Sequence, residues 1–175
     1  IESALNPVAV SRQGATGLWQ FMLGTGKIYG LKNNSLIDER RDPIKSTWAA
    51  ARYLKDLYAI YQDWNLVLAA YNCGPGTINK AIRRAGGATD YWTIYNYLPK
   101  ETRGYVPAFI AANYIMTYYC EHDICPMETQ LPSATDTIHI HKDLHLQQVA
   151  EVCNLNIDQL RSLNPVSYTH LRAHE

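Results

Sequence analysis

No stretch of the 175 residues is apolar for long enough to cross a bilayer. No block of one charge sign stands out either: 16 Lys and Arg balance 16 Asp and Glu, for a net charge of zero. That balance removes the electrostatic drive toward nucleic acid or an anionic membrane face. No C-x-x-C pair occurs among Cys73, Cys120, Cys125 and Cys153, which disfavours a zinc or thioredoxin-like site. Cys120 and Cys125 bracket a short segment that an oxidising compartment would let close as a disulfide; two free, buried thiols are an equal reading. Phenylalanine is scarce, 2 residues against 13 tyrosines and 4 tryptophans. Tyrosine and tryptophan carry an apolar face and a polar edge, which suits a groove, though for most of them filling the core and its rim is the simpler role. Strand-like alternation is nearly missing from the first 125 residues.

What is present is helix after helix. The pattern over residues 14–22 suits a short helix entered through glycines, with Leu18, Phe21 and Met22 on one face and Gly24, Gly26 and Gly30 breaking the regularity after it. Residues 31–41 are polar and turn-like. Asp42 then makes a good N-cap and Pro43 fits the first helical position. Ile44, Trp48, Ala51, Tyr58 and Tyr61 recur at helical spacing and predict one buried stripe. A helix apolar on nearly all sides is predicted over 64–72, ending at Cys73-Gly74-Pro75-Gly76. An amphipathic one follows over 77–85, with Ile78 and Ile82 inward and Lys80, Arg83 and Arg84 outward. Asp90 caps a short turn bearing Tyr91, Trp92, Tyr95 and Tyr97, and Pro107 opens a long apolar helix to about Tyr119. The expected fold class is mainly α over 1–125.

Composition shifts at Pro126, and residues 126–135 read as a linker. Thr137-Ile138-His139-Ile140 alternates like a strand; Leu146, Val149, Ala150 and Cys153 mark the inner face of a helix, and a second helix starts at Asn156 or Asp158 and ends at Leu163-Asn164-Pro165. Strand, helix, helix and the closing L-N-P resemble a LysM module, a small α+β glycan-binding unit, here spanning 136–165 and lacking its return strand. Residues 166–175 carry no apolar alternation and read as a non-native tail. His139 and His141 share one face with His145 nearby; metal binding would use such a set, but surface histidines are the commoner case, and no metal site is expected.

The densest chemistry sits at the start. Glu2-Ser3-Ala4-Leu5-Asn6-Pro7 leads to Gly14-Ala15-Thr16-Gly17-Leu18-Trp19-Gln20-Phe21-Met22, gathering a carboxylate, hydroxyls, an amide and an aromatic in one glycine-punctuated stretch. Ala70-Tyr71-Asn72 with Gly74-Pro75-Gly76 follows, then Pro99, Glu101-Thr102 and Tyr105. Singly these blocks are weak: A-Y-N suits a buried Tyr and an Asn at a helix end, and Glu101 suits the first turn of a helix. Together, as E-S-x-x-N-P-x-A-x-S-x-x-G-A-x-G-L-W-Q-F, A-Y-N-x-G-x-G and P-x-E-T-x-x-Y, their order and spacing resemble the family 1 lytic transglycosylases. These are the soluble-lytic-transglycosylase or goose-lysozyme-like enzymes that cut the glycan strands of bacterial peptidoglycan. Trp19 stands where the family usually has Met.

The resemblance implies a lysozyme-like helical domain over 1–125 whose catalytic acid is Glu2. Breaking a glycosidic bond requires a proton on the leaving oxygen, which a carboxylic acid kept neutral by an apolar setting supplies. In the family one carboxylate suffices: it protonates the leaving sugar, then takes the proton from the substrate's C6 hydroxyl, whose oxygen attacks C1 and leaves a 1,6-anhydro-N-acetylmuramic acid end. Ser11, Gln20, Tyr71, Asn72, Glu101 and Tyr105 fall on substrate-binding positions, with Ser11 near the acid and Tyr105 aimed at the reacting centre. No cofactor is implied. The partners are peptidoglycan glycan strands, the place of action the periplasm or cell envelope, and the expected state a monomer. The family's acid ends a helix, and that helix would precede Glu2, so the sequence reads as a segment of a longer protein. Ordinary glycosidases need a second acid. Asp38, Glu39 and Asp42 lie where one could sit, with Asp42 better explained as a cap and Asp38 and Glu39 expected to be solvated; they keep open a hydrolytic muramidase. A non-catalytic glycan-binding protein is the alternative outside the enzymes.

Overall fold

Asp63 opens the helix on which the larger core is built. Its Oδ1 accepts the Leu66 amide at 2.7 Å, and the helix that follows, α3 (Trp64–Cys73), buries Leu66, Val67, Ala69 and Ala70 completely. A computed structural model describes residues 1–127, 134–138 and 144–166 of the chain. Before α3 come α1 (Leu23–Ile28) and α2 (Pro43–Tyr61); after it come α4 (Pro75–Arg84), α5 (Tyr91–Ile94), α6 (Lys100–Tyr118), α7 (Leu146–Cys153) and α8 (Ile157–Leu163). Among the described residues there is no sheet, only the isolated bridges Val10–Thr16, Thr16–Phe21 and Asn33–Asp38. The described chain is mainly α, as the periodicity predicts.

The chain divides into two compact units, one of Ile1–Leu5 with Thr47–Cys125 and the other of Asn6–Ser46 with Pro126–Glu175. In the first, α3 packs against α4, α5 and α6. Leu57 and Tyr61 join Ile78, Ala81, Tyr91, Ile94, Leu98 and Val106 around it. Gly74, at φ 81°, ends α3 in a conformation that favours glycine, and Pro75 begins α4 at once. Asp90 caps α5 by accepting the Thr93 amide at 2.8 Å.

Proline does not open α6, as the sequence suggested; Pro107 lies inside it, and the helix starts seven residues earlier at Lys100. An interior proline strips the carbonyl four residues back of its donor, here that of Arg103. The Tyr91 hydroxyl fills the gap. It lies 3.1 Å from the Arg103 carbonyl and 3.3 Å from that of Thr102, and donates to this pair. A buried side chain on α5 therefore takes the place of the missing amide. Beyond Val106 the apolar side chains of α6 lie largely in the open, Phe109, Ile110, Tyr114 and Ile115 among them.

The inner stripe of α2 is rotated from the predicted one. Ile44 and Trp48 are 71% and 66% exposed and Ala51 is exposed too, whereas Ser46, Ala49, Ala50 and Leu57 are buried; of the predicted stripe Tyr61 is buried and Tyr58 packs against the core. Both stripes recur at helical spacing, and the one with small residues at its first turns allows the closer approach. Asp42 caps α2 as expected, accepting the amides of Ile44 and Lys45 at 2.9 Å.

In the second unit, residues 14–22 are not helical. Gly14 and Gly17 have φ of 83° and 87°, and Gln20 has φ 48°; three left-handed residues in seven break any right-handed helix. The segment folds instead as turns closed by the Thr16–Phe21 bridge, with 3.1 Å hydrogen bonds in both directions. The helix comes afterwards, as α1, and runs through Gly24 and Gly26. Further on, α7 and α8 pack together, with Ala150 buried but Cys153 exposed rather than inward. Asn156 caps α8 by accepting the Asp158 amide at 2.8 Å. Half of the predicted strand, His139 and Ile140, lies outside the described residues, as do His141, residues 128–133 of the linker and all but Val166 of the tail; Thr137 and Ile138 are described and are not in a strand. His145 caps α7, its Nδ1 accepting the Gln147 amide at 3.1 Å. Cys120 and Cys125 are free and exposed, neither joined nor buried: they follow the open end of α6, where little packs over them.

Candidate active site

Glu2 is drawn into the first unit by one hydrogen bond across 103 residues of sequence: the Tyr105 hydroxyl donates to its Oε1 at 2.5 Å. Tyr105 sits in the second turn of α6, one residue before the fully buried Val106, so packing of that helix sets where its hydroxyl lies. Burial pushes the Glu2 carboxyl upward in proton affinity; the Tyr105 hydrogen bond and the Ile1 amino group pull it down, and the Glu101 charge raises it again. The net direction is up. A half-buried carboxyl whose hydrogen-bond donor is a neutral hydroxyl keeps its proton to higher pH than a solvated one when burial outweighs the charges around it.

Two tyrosines share this setting. The Tyr71 hydroxyl is driven well above the usual phenol range by burial, then by the Glu2 charge and Tyr53. Tyr105 is raised likewise, by burial, the Glu2 charge and its own hydrogen bond to Glu2. Both are thereby favoured in the neutral, proton-donating form. Tyr71 comes from the last turn of α3 and lies against Tyr53 of α2, ring centroids 5.3 Å apart. Beside it, Asn72 accepts from the buried Thr102 hydroxyl at 2.9 Å. Its oxygen is thereby used, and its amide NH2 is the group left to offer. Glu101 is exposed in the first turn of α6. The structure thus gathers Glu2, Tyr71 and Tyr105 and places Asn72 and Glu101 on the same two helices.

Ser11 and Gln20 belong to the second unit. The Ser11 Oγ accepts the amides of Ala15 at 3.0 Å and Gln13 at 3.3 Å, closing a turn. Gln20 donates from Nε2 to the carbonyls of Gly17 at 2.8 Å and Ala9 at 3.2 Å. Its Oε1 accepts nothing among the described residues.

Asp38 and Glu39, expected in solvent, are buried, 0% and 6% exposed. Arg40 grips both oxygens of Asp38 with one edge of its guanidinium, Nε to Oδ1 at 3.0 Å and Nη2 to Oδ2 at 2.7 Å. Glu39 accepts from Lys45 Nζ at 2.6 Å and from the Lys32 amide at 2.8 Å. Burial raises the proton affinity of each, but the hydrogen bonds and charges of Arg40 on one side and Lys45 on the other prevail, and both carboxyls are held below their ordinary values. They are engaged as structural anions and are poorly placed to serve as a second acid. Arg40 was not singled out by the sequence reading, because nothing in a polar, turn-like segment marks which charge will go inside.

A helical fold holding a glutamic acid against a tyrosine hydroxyl is a lysozyme-like architecture, and the chain belongs to the Transglycosylase SLT domain family, matched over residues 1–94. Residues 134–170 match the family described as the lytic transglycosylase MltD LysM-like domain. The membrane-bound lytic murein transglycosylase D of Escherichia coli K12 is 34% identical over 168 residues, 94% of this chain and 37% of that protein. The soluble lytic murein transglycosylase of the same strain is 32% identical over 124 residues, 67% of this chain and 19% of that one. The crystal structure of the 70 kDa soluble lytic transglycosylase from Escherichia coli superposes with a TM-score of 0.55 at 31% identity, over 68% of this chain and 20% of that one. The chain therefore spans just over a third of the length of the first of these relatives, 37%. No described helix is long and apolar enough to cross a membrane.

Proposed function

We propose that the protein is a peptidoglycan lytic transglycosylase that cleaves the β-1,4 bond between N-acetylmuramic acid and N-acetylglucosamine and leaves a 1,6-anhydro end. One observation carries the reading: Glu2 is half-buried, its proton affinity is raised above the ordinary value chiefly by that burial, and it accepts a hydrogen bond from the Tyr105 hydroxyl, whose own proton affinity is raised. Glu2 acts first as general acid on the leaving oxygen. The carboxylate so formed accepts the proton of the substrate's C6 hydroxyl as that oxygen closes on C1, which returns Glu2 to its acid form. Protons balance and no water is consumed. Tyr105 holds the carboxyl in place and supports the anion between the two steps; Tyr71, as a neutral donor, faces the same charge. Asn72 offers N–H donors, and Glu101, Ser11 and Gln20 bind the strand.

Residues 1–125 form the catalytic part in this reading and 136–165 a glycan-binding module, with action in the periplasm or cell envelope. The names of the relatives, two lytic murein transglycosylases and a soluble lytic transglycosylase, support it. The engagement of Asp38 in a buried ion pair with Arg40, and of Glu39 with the exposed Lys45, weighs against a hydrolase with its second acid there.

The test is mass spectrometry of purified glycan strands incubated with the protein and with Glu2→Gln. Products one water lighter than hydrolytic ones, absent with the variant, are the expected result. Reducing-end products would establish a muramidase, and glycan binding without any product a non-catalytic role.

A further inference from the structure

Arg40 is 8% exposed and spends its donors on four acceptors. Nε and Nη2 grip Asp38. Nη1 reaches past the ion pair to the carbonyls of Gly14 at 3.1 Å and Phe21 at 3.0 Å, the two ends of the left-handed segment. The backbone of Arg40 takes part as well. A Cβ on Gly17 would lie 1.8 Å from the Arg40 carbonyl oxygen, so only glycine lets the middle of the segment rest on this residue. The aliphatic stem packs against Gly26, where a Cβ would come within 3.3 Å of Cγ and Cδ. One side chain and its own carbonyl thus fix residues 14, 17, 21 and 26. Gln20 sits inside that span at φ 48°, a conformation a non-glycine residue holds only when its surroundings impose it.

We propose that Arg40 is a positioning residue for glycan recognition: it holds residues 14–21 in the one geometry in which Gln20 turns its amide nitrogen onto its own loop and offers its oxygen to a donor on the sugar, a hydroxyl or an acetamido N–H. This rests on the reading of Gln20 as a glycan contact. Lysine cannot stand in for Arg40, because a single ammonium lacks the planar fork that serves a carboxylate on one side and two carbonyls on the other.

Arg40→Lys, Gln20→Ala and the double variant test this on the chain of residues 1–175, by steady-state cleavage of purified glycan strands and by amide hydrogen exchange of residues 14–21. Asp38→Asn/Arg40→Met, which removes both buried charges together, guards against a variant that fails only by leaving one ion unpaired. Arg40→Lys should raise KM about tenfold, the scale of one lost hydrogen bond, with kcat changed by less than about threefold, and should speed exchange in the loop. Gln20→Ala should raise KM to a similar extent without speeding exchange, and adding Arg40→Lys to it should cost little more. Parental KM in both Arg40 variants while Gln20→Ala is impaired overturns the role of Arg40 and leaves Gln20 as a contact. Effects of Arg40→Lys and Gln20→Ala that multiply overturn it in the same way. Parental KM in Gln20→Ala overturns the reading of Gln20 itself.

Discussion

Half-buried Glu2 and buried Asp38 arrive at opposite proton affinities. Glu2 and Asp38 share their largest influence, burial, which favours the neutral acid in both. Asp38 is met by a guanidinium on both oxygens and by the Arg40 amide at 3.1 Å, and ends below its ordinary value of 3.8. Glu2 is hydrogen-bonded by a phenol; the Ile1 amino group lowers its proton affinity and the Glu101 carboxylate raises it, and it ends above its ordinary value of 4.5. Burial alone therefore does not make an acid catalyst; the charge of the nearest partner decides. A full positive charge produces a fixed structural anion, whereas a neutral hydroxyl leaves a proton that can be given away and taken back.

Removing the proton from one side of this pairing has the largest effect. Glu2→Gln should lower glycan turnover about a thousandfold, within the usual span for loss of a general acid, with strand binding retained by co-sedimentation. Removing the negative charge from the other side acts on stability. Asp38→Asn leaves Arg40 buried and uncompensated, which should cost about 3–5 kcal/mol in urea unfolding. Tyr105→Phe makes the contrast sharper: Glu2 loses a hydrogen bond that favours its anion, so its proton affinity rises further. Because the first step needs the acid form, activity is lost as pH rises through the Glu2 pKa, and in Tyr105→Phe that descending limb should move to higher pH while the maximal rate falls about tenfold.

The folded-state pKa of Glu2 is raised, so its stabilising contribution is complete below 4.5 and lost as pH rises through the shifted value. Glu2→Gln lacks this loss. Its melting temperature should exceed the parent's at pH 7 by about a few degrees, with the gap closing toward pH 4. Asp38 runs the other way: its contribution is present above 3.8 and fades as pH falls through its lowered pKa. The smallest effect lies in the helix that carries Tyr105. Tyr91→Phe should cost about 1 kcal/mol, the net worth of a hydrogen bond, and Pro107→Ala, by restoring an amide to the Arg103 carbonyl, should recover it.

Much of this was legible in the chain. Asp42 and Asp90 announce helix starts because a short carboxylate before an apolar period has one favourable use, and Gly74 announces the stop of α3, although α4 begins at Pro75, inside the segment read as a breaker, rather than at Thr77. Glu2, Tyr71 and Tyr105 were marked by motif blocks, and the fold draws them into one electrostatic setting. What escaped were choices between equal local patterns. Ile44 and Trp48 make as regular a stripe as Ser46 and Ala50, and only tertiary packing selects between them. Residues 14–22 have helical spacing, yet Gly14 and Gly17 at positive φ commit them to turns. Asp38 and Arg40 look like any solvated pair, since their burial depends on carbonyls at Gly14 and Phe21 that lie 26 and 19 residues away from Arg40.

The hydroxyl of Tyr91 standing in for the amide that Pro107 lacks also bears on how the domain can be cut and recombined. A helix is ordinarily self-sufficient in its own interior, so that it can be moved as a cassette between related scaffolds. Here α6 is not: grafted alone, it would carry the Arg103 carbonyl bare into its new home. The smallest transferable piece that brings Tyr105 with a complete helix beneath it begins at Asp90, the cap of α5, and anyone building chimaeras should place the upstream junction in the glycine turn at Gly86-Gly87.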